Sequence, residues 1–134
     1  MASKFELEKP VFGQVGTGLN VFEGKNDGNS TLDAVNCIET LVLVTPNSTH
    51  TMTTATAKDI VEAIPGVQVG TSFRLIIQNL ASGTSLTLGL GDRVTRGGGA
   101  SFTLGAQKTS SFLLQVTDIE TPAITLYALG QATT

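Results

Sequence analysis

The sequence predicts an all-β protein: an antiparallel β-sandwich or jelly-roll-like domain with one short helix and an extended N-terminal arm. Three observations predict it. In the second half of the chain, apolar residues alternate with Thr, Ser and Gly over five short segments. Those segments are separated by Gly, Ser, Asp or Pro, the residues that make turns. The 134-residue chain is also Trp-free and only 14% charged, and its abundant β-branched residues suit a pleated surface.

Residues 1 to 36 read as the extended arm and residues 37 to 134 as the sandwich domain. In the arm, apolar residues come in couples, Phe5 and Leu7, Val11 and Phe12, Val21 and Phe22, set among Gly, Asn and charges. Couples this sparse cannot bury enough surface to fold alone, although "GLNVFEG" can add one edge strand. "IETLVLVT" leaves no solvent face between Leu41 and Val44 and predicts a central strand buried on both sides. Pro46-Asn47 makes a turn, and "STHTMTTAT" continues as a polar strand or extended loop.

Over residues 53 to 66, "TTATAKDIVEAIPG", the spacing predicts a helix. Thr56 caps it, Asp59 lies three residues on, Ile60 and Ile64 share a face, and Pro65-Gly66 ends it. A helix this short is unstable alone in water, so it must dock Ile60 and Ile64 on the sheet as a cap at one end of the sandwich. "TSFRLIIQN" then sets Phe73, Leu75 and Ile77 on one face and Arg74, Ile76 and Gln78 on the other. "TSLTLGLG" turns Leu86, Leu88 and Leu90 inward, and "ASFTL" offers Phe102 and Leu104. "SSFLLQVT" offers Phe112, Leu114 and Val116, with Leu113 opposite; "PAITLYALG" offers Ile124, Leu126 and Ala128, with Thr125 and Tyr127 opposite. "TRGGGAS" reads as an exposed hairpin loop, because a phosphate-cradling loop needs a helix after it and a strand follows here.

Charge and composition narrow the function. The net charge is −3 and the eight basic residues are scattered. Arg93 and Arg96 come nearest to a cluster, so nucleic acid is not the expected partner. No run approaches the roughly 18 apolar residues of a membrane helix. The first ten residues lack the apolar stretch of a signal peptide, and the single Cys37 cannot form an internal disulfide. Synthesis in a reducing cytoplasm without covalent staples is expected. No cofactor and no catalysis are expected either. His50 stands alone in a polar stretch and reads as a surface residue, and nothing resembles G-x-S-x-G. Asp118 and Glu120, with Asp92, carry oxygens of the kind that ligate a hard cation, but they read as turn chemistry. "KNDGNST" around Asp27 lacks EF-hand spacing and reads as a turn as well.

The order of pieces over residues 53 to 130 is more distinctive than any one of them. It resembles a small β domain that recurs in structural proteins of tailed bacteriophages. There an "A-I-P-G-x-x-V-G-x-S-F" segment precedes a strand ending in Asn. The domain closes on "F-x-x-x-x-T-(D/N)-(I/V)" and an "(A)-(I/V)-T-(L/V)-Y" strand. The matching residues are Ala63, Ile64, Pro65, Gly66, Val69, Gly70, Ser72, Phe73 and Asn79, then Phe112, Thr117, Asp118, Ile119 and Ala123 to Tyr127. The N-terminal arm is left unmatched. The resemblance implies a capsid decoration (cement) protein. Such a protein is made in the host cytoplasm, binds the outer capsid surface of the virion as a homotrimer, and stabilises capsomer contacts of the major capsid protein. On that reading Phe5, Leu7, Val11 and Phe12 belong to a capsid-binding arm. Ile76 and Leu113, pointing away from the inferred core, belong to a subunit interface, unless a second sheet covers them. The alternative is a fibre or tail-appendage module binding a host receptor or carbohydrate. Sugar sites usually stack on exposed aromatics, and this chain has no Trp and one Tyr.

Overall fold

Residues 20 to 89 wind as three successive coils, each laying one strand in each of two sheets. The computed structural model describes residues 19 to 99 and 101 to 133. The first coil gives β1 (Asn20–Glu23) and β2 (Ser30–Thr31), the second β3 (Thr40–Val44) and β4 (His50–Thr53), the third β5 (Ser72–Asn79) and β6 (Leu86–Gly89). Stacked coils run in the same direction. β1, β3 and β5 therefore pair in parallel, with Val21, Leu41 and Ile76 in one register row, and β2, β4 and β6 do the same, with Ser30, Met52 and Leu88 in another.

The rest of the chain completes both sheets with β7 (Val94–Gly99), β8 (Thr103–Leu104), β9 (Lys108–Asp118) and β10 (Ala123–Thr133). β9 and β10 form a long antiparallel hairpin, and β9 pairs antiparallel with β5. β7 lies parallel to β10, and β8 antiparallel to β6. The strand orders are β1-β3-β5-β9-β10-β7 and β2-β4-β6-β8. One core joins them, with Val42, Leu75, Phe112 and Leu126 from the larger sheet and Met52, Leu86 and Leu104 from the smaller all fully buried.

This overturns the expected antiparallel sandwich or jelly roll, since both sheets are mixed. Parallel strands usually read as unbroken apolar runs because helices cover both faces. Here the crossovers run through strands of the opposite sheet, so the protein covers only the inner face and the alternation imitates an antiparallel strand. The arm expected over residues 1 to 36 is corrected too. Its second half supplies β1, β2 and a 3-10 turn at Ala34–Cys37, with Leu32 and Cys37 buried. The Val21-Phe22 couple is ordered by pairing with β3, which supplies the surface the couple lacks. Turn amides clamp the first coil on the second. Asn26 Oδ1 accepts from the Thr45 N–H at 2.9 Å, and Asn29 Oδ1 accepts from the Thr51 N–H at 2.8 Å.

The glycine-rich stretch expected as a hairpin loop is mostly strand β7. A Cβ at Gly97 would stand 2.5 Å from two ring carbons of Tyr127, so the ring lies where a side chain would otherwise be. The helix α1 (Ala57–Glu62) starts as its residues require, with Thr56 Oγ1 accepting from the Asp59 N–H at 3.2 Å. Its buried face is Ala57, Ile60 and Val61, and it packs against the 3-10 turn and β10. Ile64 falls beyond the last turn and is only partly buried.

Candidate interaction surface

The six-stranded sheet has one covered face and one open face. Alternation that buries Val42, Val44, Leu75, Ile77, Phe112 and Leu114 sends Leu41, Leu43, Ile76 and Leu113 to the opposite side, where all four stay partly exposed. Val21, on the edge strand, is 63% exposed. Val21, Leu41 and Ile76 are successive cross-strand neighbours, and Leu113 stands opposite Arg74 and Tyr127, diagonal to Ile76. The result is a contiguous aliphatic stripe across β1, β3, β5 and β9, ending on the Tyr127 ring above Gly97.

Polar groups bound the stripe. Arg74 donates from its backbone N–H to Glu39 Oε2 at 2.6 Å and from its guanidinium to Oε1 at 3.1 Å. Glu39 has a φ of 46°, in the left-handed region that a non-Gly residue enters at a cost, and these two bonds hold it there. At the other end Glu23, Gly24, Asn26, Leu43, Thr45 and Leu80 line a shallow cleft of about 160 Å³. Covering such a surface would be favourable through apolar burial, by about 1.5–3 kcal/mol for a fully exposed Leu, Ile or Val and by less for side chains already half-buried.

The structure brings Ile76 and Leu113 together, and it places them on the open face and not between the sheets. Phe5, Leu7, Val11 and Phe12 lie outside the described residues. Sequence reasoning missed Val21, Leu41 and Leu43 as members of the stripe. The signal was present in "TLVLV", an apolar run on both sides of a strand that the fold covers on one side only.

Residues with chemical side chains are tied into the scaffold. His50 is buried at 7% exposure, which corrects the surface reading. Its Nδ1 lies 3.0 Å from the Ser48 carbonyl oxygen, while its Nε2 has no hydrogen-bond partner among the described residues. Asp118 Oδ1 accepts from the N–H groups of Glu120 and Thr121 and so shapes its own turn. The Asp92 carbonyl accepts from the Ala57 N–H at the start of α1. Arg93 donates to the carbonyls of Thr121 and Pro122, and the Arg96 guanidinium sits 4.4 Å above the Phe102 ring. Burial pushes the Cys37 thiol up to about 11, against the Ala55 N–H that points at its sulfur from 3.4 Å.

A second cleft, of about 440 Å³, runs between the first coil and the start of α1, with Asp33 and Asp59 among threonines on its walls. Among the described residues no three His, Cys, Asp or Glu side chains are grouped to hold a metal ion, and no helix is long and apolar enough to cross a membrane. Comparison with protein-family models, with curated proteins and with solved structures returns no match.

Proposed function

We propose that the chain is a decoration (cement) protein of a tailed-phage head, bound to the outer capsid surface as a homotrimer and stabilising contacts between capsomers of the major capsid protein. The open aliphatic stripe carries this reading. The sequence leaves two placements for Ile76 and Leu113, a subunit interface or the inter-sheet core, and their position on the open face favours the interface. A head-to-tail contact about a threefold axis closes after three steps and buries the stripe against a different patch of the next subunit. The resemblance supplies the context, and its residues sit at positions that frame the domain: Ala63 to Gly66 end the helix, Ser72 opens β5, Asn79 closes it, and Ala123 to Tyr127 begin β10.

The test is co-sedimentation of purified protein with heads that lack it, for wild type and Leu113→Asp. Wild type should bind in capsomer-like stoichiometry and behave as a trimer in light scattering. Leu113→Asp should keep its far-UV circular dichroism, become monomeric and stop binding. Failure of the wild type to bind heads removes the proposal. A wild type that is monomeric both free and on the head removes the trimer. Unfolding of Leu113→Asp would contradict the open-face placement.

A further inference from the structure

Of the chain's aspartates, Asp27 alone precedes a glycine; Asp33, Asp59, Asp92 and Asp118 precede Ala34, Ile60, Arg93 and Ile119. Asp27 and Gly28 lie in the turn between β1 and β2, where Asn26 to Asn29 are all exposed. Gly28 has a φ of 85°, a conformation that glycine enters without steric cost, and a Cβ built on it would meet nothing within 4 Å. Among the described residues no hydrogen bond engages the Gly28 N–H or the Asp27 carboxylate.

An aspartate in this setting holds an electrophile beside a nucleophile. Rotation about the Asp27 Cα–C and Cα–Cβ bonds brings the Gly28 nitrogen to Cγ in a five-membered ring. A side chain on the following residue crowds that closure, and a hydrogen bond to its N–H or to the carboxylate opposes it. Asp59 and Asp118 meet both obstacles or the equivalent. The Ile60 N–H donates to the Thr56 carbonyl at 3.1 Å, and Asp118 Oδ1 accepts from the Glu120 and Thr121 N–H groups at 3.0 and 3.3 Å. Asn29, next in the same turn, is held by the Thr51 N–H on its Oδ1 at 2.8 Å.

We propose that Asp27-Gly28 is a modification site, at which the chain forms isoaspartate without an enzyme. The Gly28 nitrogen attacks Cγ of the Asp27 carboxyl in its protonated form. The N–Cγ bond forms, the nitrogen gives up its proton, and a carboxyl oxygen leaves as water, which closes a succinimide. Water then adds at the Asp27 backbone carbonyl carbon and breaks its bond to the Gly28 nitrogen. The main chain now runs through Cγ, and the former backbone carbonyl becomes the side carboxylate. Water is lost and regained, so the mass is unchanged while the main chain gains one methylene.

The turn is pinned on both sides of the new methylene. Upstream, Asn26 Oδ1 accepts from the Thr45 N–H and the Asn26 carbonyl from the Asn47 N–H, both at 2.9 Å. Downstream, Asn29 holds Thr51. Lengthening the chain between these anchors pulls the amides off their donors and loosens the first coil from the second. Asn26 also lines the cleft at the end of the aliphatic stripe, so the isomer differs from its parent beside that surface. The inference stands apart from the head-binding reading, since it follows from the turn alone.

The test is prolonged incubation of the full chain at neutral pH and physiological temperature, followed by isoaspartyl methyltransferase labelling and peptide mapping. A peptide isomer of unchanged mass should accumulate at Asp27, several-fold faster than at any other aspartate. Asp27→Glu, whose ring closure would need six members, should abolish the label at this site. In the isomerised fraction the Thr45 and Thr51 amides should exchange faster by NMR, while the Leu75 amide in the core stays protected. Absence of the isomer at Asp27, or equal formation at Asp33, Asp59, Asp92 or Asp118, overturns the proposal. Labelling that survives Asp27→Glu overturns it as well, and unchanged Thr45 and Thr51 exchange in the isomer overturns the loosening of the first coil.

Discussion

Asn79 is a buried position at which a side chain ties the two sheets, and replacing it offers a sharp check on the architecture. It ends β5 fully buried. Its Nδ2 donates among the carbonyls of Thr84, Leu104 and Gly105 at 2.9, 3.3 and 3.1 Å, and its Oδ1 accepts from the Ala81 N–H at 2.9 Å. The larger sheet is thereby fastened to β8 of the smaller and to the turn that leads into β6. Asn79→Ala removes about three net hydrogen bonds near 1 kcal/mol each and strands buried carbonyls, so the loss should be about 3–5 kcal/mol. Asn79→Asp keeps the shape and the Ala81 bond but aims a carboxyl oxygen at three carbonyl oxygens. Only the protonated carboxyl fits there, so its folded pKa must rise above the unfolded value of about 3.9. A raised pKa gives stability that is present below the unfolded value and lost as pH rises through the folded one. Urea unfolding followed by far-UV circular dichroism should show Asn79→Asp much closer to wild type at pH 4 than at pH 7. A cost below about 1 kcal/mol for Asn79→Ala, or an Asn79→Asp deficit equal at both pH values, would refute the reasoning.

Two further outcomes are expected. Ile60→Ala, at a fully buried helix position, should cost about 2–4 kcal/mol in urea unfolding, Ile64→Ala distinctly less, and the solvent-facing Lys58→Ala should leave the midpoint unchanged; equal effects of Ile60→Ala and Lys58→Ala would mean that α1 does not dock through its Ala57, Ile60 and Val61 face. The Cys37 thiol, raised by burial from 9.0 to about 11, binds its proton more tightly in the folded chain. Stability should therefore fall between pH 9 and 11, by about 2–3 kcal/mol. Cys37→Ala should remove that part of the slope in pH-dependent melting, and an unchanged slope would exclude the thiol as its source.

Local signals and their physical causes survived well from sequence to structure, while pairing direction did not. Thr56 caps the helix, although the helix stops at Glu62 with Ala63 as its C-cap, before the Pro65-Gly66 expected to end it, and each alternating segment after residue 70 contains or overlaps a strand that buries its expected residues, Leu90 alone staying partly exposed beyond β6. Those features depend on a few neighbouring residues. Whether β5 lies parallel to β3 or antiparallel to it depends on where the chain goes between them, and alternation carries no record of that. Short segments escaped for a related reason. β2 is two residues long, and its neighbour Leu32 is buried because its N–H reaches the Thr53 carbonyl at 2.7 Å, a contact made one coil away. In β7 the glycines look like a loop until Tyr127 is laid across Gly97. The Ile76 and Leu113 pair was legible as outward-facing. Its union with Val21 and Leu41 needed the parallel register that sequence does not specify.

The stripe is informative because the rest of the open face is different. Ser72, Thr95, Thr109, Ser111, Gln115 and Thr125 occupy neighbouring positions on the same side of the same sheet, and all are polar. Threonine suits a strand about as well as Ile or Val, so the demands of forming the sheet do not call for aliphatic residues at Leu41, Leu43, Ile76 and Leu113. Partly exposed where they are, these side chains realise only part of the burial free energy available to them. Within β3 the contrast runs between adjacent residues. Val42 and Val44 are buried by the fold, and Leu41 and Leu43 are equally apolar with nothing among the described residues that buries them fully. Local sequence and tertiary environment disagree at β3, and such disagreement is expected where a surface serves a purpose outside the isolated fold. A second protein surface laid on the stripe, as the proposed head-bound trimer has it, would resolve it.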